Sequence, residues 1–110
     1  MPVVIGDVGA DAEKGPVLVS VEYSVTPKRT EEFLDAMHEY GRIRRRDGAY
    51  RWGIFRDTEI ADRYLEIFLV NSWAEHLRQH ERQTQADREL EGRIASYLSA
   101  EPTVRHLIGT

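Results

Sequence analysis

The sequence contains no cysteine. Disulfide bridges, thiolate metal sites and a cysteine nucleophile are therefore excluded, and the absence fits a reducing compartment. No apolar run approaches the roughly 18 residues that a membrane-spanning helix requires. The first residues, Met1 to Ala10, lack a basic stretch leading into an apolar one, so no secretory signal is expected. Positive charge is not in excess: 15 Lys and Arg stand against 19 Asp and Glu, a net charge of -4. That balance argues against nucleic acid as a partner. No phosphate loop, nucleophile elbow or dinucleotide fingerprint is present, since Gly41 and Gly48 do not make a glycine-rich loop. What remains is a chain of 110 residues, 41% hydrophobic and 31% charged, enough for one core.

Residues 1–16 read as a lead-in or linker, broken by Pro2, Gly6, Gly9, Gly15 and Pro16; Val3-Val4-Ile5 is at most a marginal edge strand. The domain is expected over 17–110. Val17 to Val25 alternates as a strand, with Val17, Val19, Val21, Tyr23 and Val25 on one face. Thr26-Pro27 opens a helix reaching about Arg46, whose buried stripe is Phe33, Met37, Tyr40 and Arg44. Asp47-Gly48 ends it. Strands follow at Tyr50–Arg56 and Arg63–Val70, joined by a polar turn as a hairpin. Asn71 or Ser72 caps a helix beginning near Trp73, and Glu75, three residues after Ser72, fits a capping box. The helical stretch bends near Gln83-Thr84 and resumes with Ala86, Leu90, Ile94, Tyr97 and Leu98 on one face. Pro102 stops it, and Thr103–Ile108 is a last strand.

The order strand, helix, strand, strand, helix, strand is that of an α+β, ferredoxin-like fold with a four-stranded antiparallel sheet. Helices cover one face. The other carries either the Leu65, Ile67, Leu69 row or the Tyr64, Phe68, Val70 row, and neither suits water. Two chains are therefore expected to press these faces together as a symmetric homodimer, a dimeric α/β barrel.

Several residues could carry chemistry. Ser20, Glu22 and Ser24 face away from the valines, so Glu22 would stand between the paired sheets near Arg51, Arg105 or His106. Two readings are open there: a pocket with an acid-base group for a small polar or aromatic ligand, and a buried ion pair fixing register. His76 and His80 lie one helical turn apart, but the glutamate of the metalloprotease motif does not follow His76, and no third ligand has suitable spacing. No metal is expected; a surface or interface pair is. The arginines from Arg42 to Arg56 read as a solvated basic face, or as contacts to an anionic membrane or an acidic partner. Trp73, beside Asn71, either packs in the core or roofs a cavity.

Three segments carry a family resemblance: Gly15 to Tyr23, Arg42 to Gly53, and Phe68 to Arg82 with its Asn-Ser-Trp-Ala-Glu-His run. Together they resemble the soluble C-terminal domain of bacterial major-facilitator efflux transporters, itself similar to the antibiotic-biosynthesis monooxygenase superfamily. The resemblance spans Gly15 to Ile108. It implies a cytoplasmic accessory or regulatory domain binding a small ligand, made either as a free protein or as a piece of a longer chain, in which case residues 1–14 would link it to the transporter membrane domain. The alternative it implies is a cofactor-independent monooxygenase acting on an aromatic substrate, with no cofactor. In that reading Glu22 or His80 would be catalytic, and Ser20, Arg51, Asn71, Trp73, His76 and His106 would bind the ligand. Haem-degrading members use an Asn in the first strand, and Val17 to Val25 has none.

Overall fold

A computed structural model describes residues 15–110, apart from the side chain of His80. The readings made for residues 1–14 lie outside the described residues.

Strand β1 (Val17–Ser24) alternates buried and partly buried positions through its length. It is the spine of the sheet, pairing antiparallel with β3 (Arg63–Val70) on one side and β4 (Thr103–Ile108) on the other. The edge strand β2 (Arg51–Arg56) pairs antiparallel with β3, giving the order β2-β3-β1-β4. β-Branched valines at alternate positions suit a half-buried pleated surface, which is why the valine face becomes the floor of the core. The fold is ferredoxin-like, with α1 (Thr30–Arg46), α2 (Trp73–Glu81) and α3 (Gln85–Ser96) on that floor. A short 3-10 turn at Pro27–Arg29 precedes α1, so the regular helix begins at Thr30 rather than at Pro27.

The core lies between the two layers. Val17, Val19, Val21 and Tyr23 of β1 meet Phe33, Met37 and Tyr40 of α1, Phe68 and Val70 of β3, and Leu90 and Ile94 of α3. Each fully buried side chain of this size contributes about 1.5–3 kcal/mol. Two local devices set the helices' positions. The indole of Trp52 lies flat enough against Gly41 that a Cβ there would sit 2.7 Å from the ring, so α1 and β2 meet backbone to ring. Thr84 and Asp87 form a capping box, which starts α3 at Gln85, three positions after Arg82, the C-cap of α2. The far end of α3 is tied to β1: the amide of Thr26 donates to the Tyr97 carbonyl at 2.8 Å, and that of Ser99 to Ser24 at 2.8 Å. Among the described residues no helix is long and apolar enough to cross a membrane.

Candidate functional site

The sheet divides the chemically interesting residues into two groups. On the face without helices, strand register places them in rows. Arg51, Leu69, Leu18 and Leu107 form one row; Gly53, Ile67, Ser20 and Arg105 the next; Phe55, Leu65, Glu22 and Thr103 the third. Of the two rows considered for this face, the structure chooses Leu65, Ile67 and Leu69, and turns Tyr64, Phe68 and Val70 into the core. Phe55 is 56% exposed and Leu107 51%. Within these rows Glu22 has its nearest cation in Arg63, with 3.6 Å between Oε1 and Nη1. Ser20 and Arg51 share the face with Glu22. His106 does not: it stands opposite Val19 and so points towards the helices. The expectation that His106 accompanies Glu22 between two sheets is corrected by this register. Asn71 is exposed in the turn after β3.

The second group lies on the helix side. Ser72 caps α2 by accepting from the Glu75 amide at 3.1 Å, and this sets Trp73 and His76 on the turn that faces the sheet. Both are 2% exposed, so His76 is a core residue and not the surface member of a pair with His80. The Trp73 ring packs edge-on against His106, 5.0 Å between centroids, and lies 5.7 Å from His76. Nδ1 of His76 meets Gln79 Oε1 at 3.2 Å, and its Nε2 meets His106 Nε2 at 3.1 Å. With the Gln79 oxygen accepting, Nδ1 of His76 donates, and the two Nε2 atoms face each other. Burial holds the imidazole of His106 below its ordinary pKa, favouring the neutral ring. Trp73 Nε1 and Gln79 Nε2 are buried and have no hydrogen-bond partner among the described residues.

Beneath α1 lies a third polar group that sequence reasoning missed. Glu66 of β3 is wholly buried, and both its oxygens are occupied. The Tyr23 hydroxyl donates to Oε1 at 2.9 Å, Trp52 Nε1 to Oε2 at 2.8 Å, and Arg44 through Nε and Nη2 at 3.0 and 3.2 Å. The Arg44 guanidinium is also stacked on Tyr40 and Phe68, each 4.3 Å from the ring centre. Burial, and then the Glu66 charge, pushes the Tyr23 hydroxyl well above its ordinary pKa, so it remains a donor. The available signal was a lone glutamate at an inward position of β3 and a lone arginine in the apolar stripe of α1. This group is a closed structural network, with no lone pair left over for a substrate.

Such a sheet, with the described helices all on one side beside a Trp–His cluster, defines an α+β domain of the ferredoxin-like class. The chain belongs to the transmembrane secretion effector family, whose model matches residues 2–110. That agrees with the resemblance to the soluble domain of major-facilitator efflux transporters. No curated protein matches the sequence. Among solved structures, a Caulobacter crescentus protein provisionally assigned as an antibiotic biosynthesis monooxygenase is similar, with a TM-score of 0.78 at 14% identity, over 90% of this chain and 93% of that one. A Nitrosomonas europaea protein with the same provisional assignment gives 0.75 at 16% identity, over 87% and 91%. A third, from Bordetella bronchiseptica, gives 0.74 at 18%, over 88% and 99%. At these identities the likeness is one of fold.

Proposed function

We propose that the chain is a self-associating accessory domain of a membrane exporter, acting at the cytoplasmic side. Two copies stack through the open faces of their sheets, and the pairing regulates the transport unit. The observation that carries this reading is the helix-free face itself, where Leu18, Leu65, Ile67, Leu69, Leu107 and Phe55 stand in adjoining rows. A continuous apolar surface of this kind marks an interaction site rather than a solvated face. Family membership supports the link to a transporter. Ser20, Glu22, Arg51 and Arg105, set among these apolar residues, would give a small ligand its polar contacts in the space between the sheets. The test is export from cells that make the whole transporter with Ile67→Arg in this segment. A marked fall in export, with the transporter still present in the membrane at normal level, is the expected result. Unchanged export from a variant that no longer pairs would overturn the reading.

One observation favours a second reading, a cofactor-independent monooxygenase acting on an aromatic substrate. It is the Trp73, His76 and His106 cluster, where a neutral imidazole and an unsatisfied indole N–H lie side by side. An imidazole lone pair in a dry setting is suited to taking a phenolic proton. Oxygen uptake with anthrone-type substrates, abolished by His76→Gln, would favour it over the accessory role.

A further inference from the structure

We infer that His76 of α2 and His106 of β4 form a binding site for a single divalent transition-metal ion of the zinc type. The sequence gives no reason to pair these residues, which are 30 positions apart. The fold brings their Nε2 atoms to 3.1 Å and their ring centroids to 4.9 Å. A straight N–H···N bond of that length would hold the centroids about 5.3 Å apart, because each centre lies about 1.1 Å behind its nitrogen. The shorter separation means that the rings do not both point along the line between the nitrogens. Tilted equally to the same side, their lone-pair axes would meet about 1.9 Å beyond each nitrogen at about 110°, close to the Zn–N distance and tetrahedral angle of imidazole ligands.

Two further features suit an ion. Gln79 Oε1 accepts from Nδ1 of His76 at 3.2 Å, which fixes the ring with its Nε2 turned to His106, the service an outer-shell partner gives to a ligating histidine. His106 is only partly buried, so water can reach the remaining coordination positions. Among the described residues no third His, Cys, Asp or Glu completes a set, so the described part of the site is two imidazoles, which water can supplement. Such a donor pair selects zinc, copper or nickel over magnesium or calcium, which require oxygen.

The experiment uses the full chain without an affinity tag, titrated with ZnCl2 in a calorimeter. One Zn2+ per chain is expected, with affinity weakened at least tenfold in His106→Gln. Because the fold could also respond to that substitution, X-ray absorption at the zinc edge of the unaltered protein provides a separate reading. It should show imidazole scattering from two rings at about 2.0 Å. No heat up to millimolar Zn2+, undiminished binding in a folded His106→Gln, or a zinc edge without paired imidazoles would each overturn the site. None of these results bears on pairing through the opposite face of the sheet.

Discussion

A carboxylate with no contact to water is tolerable only while each of its oxygens is met by a donor. Glu66 satisfies that condition through three side chains from three elements: Tyr23 of β1, Arg44 of α1 and Trp52 of β2. Removing the cation alone strands a charge, which costs about 3–5 kcal/mol, whereas removing both charges together is far milder. Arg44→Leu should therefore destabilise the domain severely. Adding Glu66→Gln, whose amide oxygen still accepts from Tyr23 or Trp52, should restore part of the loss. Urea unfolding of the two variants measures the difference; equal midpoints would mean that Arg44 acts through its stacking on Tyr40 and Phe68 alone. A second residue-scale consequence concerns Asp87. Its carboxyl is held below the ordinary value of 3.8 by the Arg46 side chain, with the Thr84 amide and hydroxyl adding to the effect. A depressed folded-state pKa contributes stability that is complete above the unfolded value and is lost as pH falls towards the folded one. The melting temperature should accordingly drop between about pH 5 and pH 3, and Asp87→Asn should flatten that slope while lowering stability at neutral pH.

At the scale of elements, two glycines make opposite predictions. Both lie in helices, where alanine is favoured over glycine by about 1 kcal/mol. At Gly92 of α3 a new Cβ would meet nothing within 4 Å, so Gly92→Ala should raise stability by about that amount. At Gly41 the same atom would press into the Trp52 ring, and Gly41→Ala should cost about 1–3 kcal/mol as α1 and β2 are pushed apart. Thermal melts of the pair should move in opposite directions. These elements were largely legible in the sequence, because strands β3 and β4, the end of α1 and the break after Gln83 each carry a local signal. The polar turn before Arg63 and Pro102 before Thr103 mark the strands, Gly48 with a φ of +117° closes α1, and Thr84 opens α3. Ala86 was read as part of the apolar stripe of α3 but is exposed, since the stripe that reaches the core begins at Leu90. What single-chain periodicity does not contain is the side of the sheet on which a later strand presents its residues. His106 was therefore placed beside Glu22, although its position opposite Val19 follows at once when the β1–β4 register is known. The burial of His76 is hidden from periodicity for the same reason, since it depends on His106 of β4 lying against α2.

Among the described residues one face of the sheet is covered by helices and the other is left open, and that asymmetry has a consequence for the state in solution. A stable interface needs roughly 1,000 Å² or more with an apolar centre. On the open face that centre is Ile67, in the middle row between Gly53 and Ser20, with Leu65 and Leu69 on either side along β3. A two-fold arrangement brings this row against its own copy, so each copy contributes the same leucines and isoleucine. The effect of an introduced charge should depend on its row. Ile67→Arg places two guanidinium groups at the centre of the interface and should leave folded protein sedimenting at 12.7 kDa, half the mass of the expected pair. Ser24→Arg lies at the end of β1 beyond the apolar rows and should leave the pair intact. Both variants should keep the circular dichroism of the parent, because neither side chain enters the core. If the unaltered chain sediments as a single copy at micromolar concentration, the open face has another occupant in the cell, and the transporter's membrane portion becomes the surface to test against it.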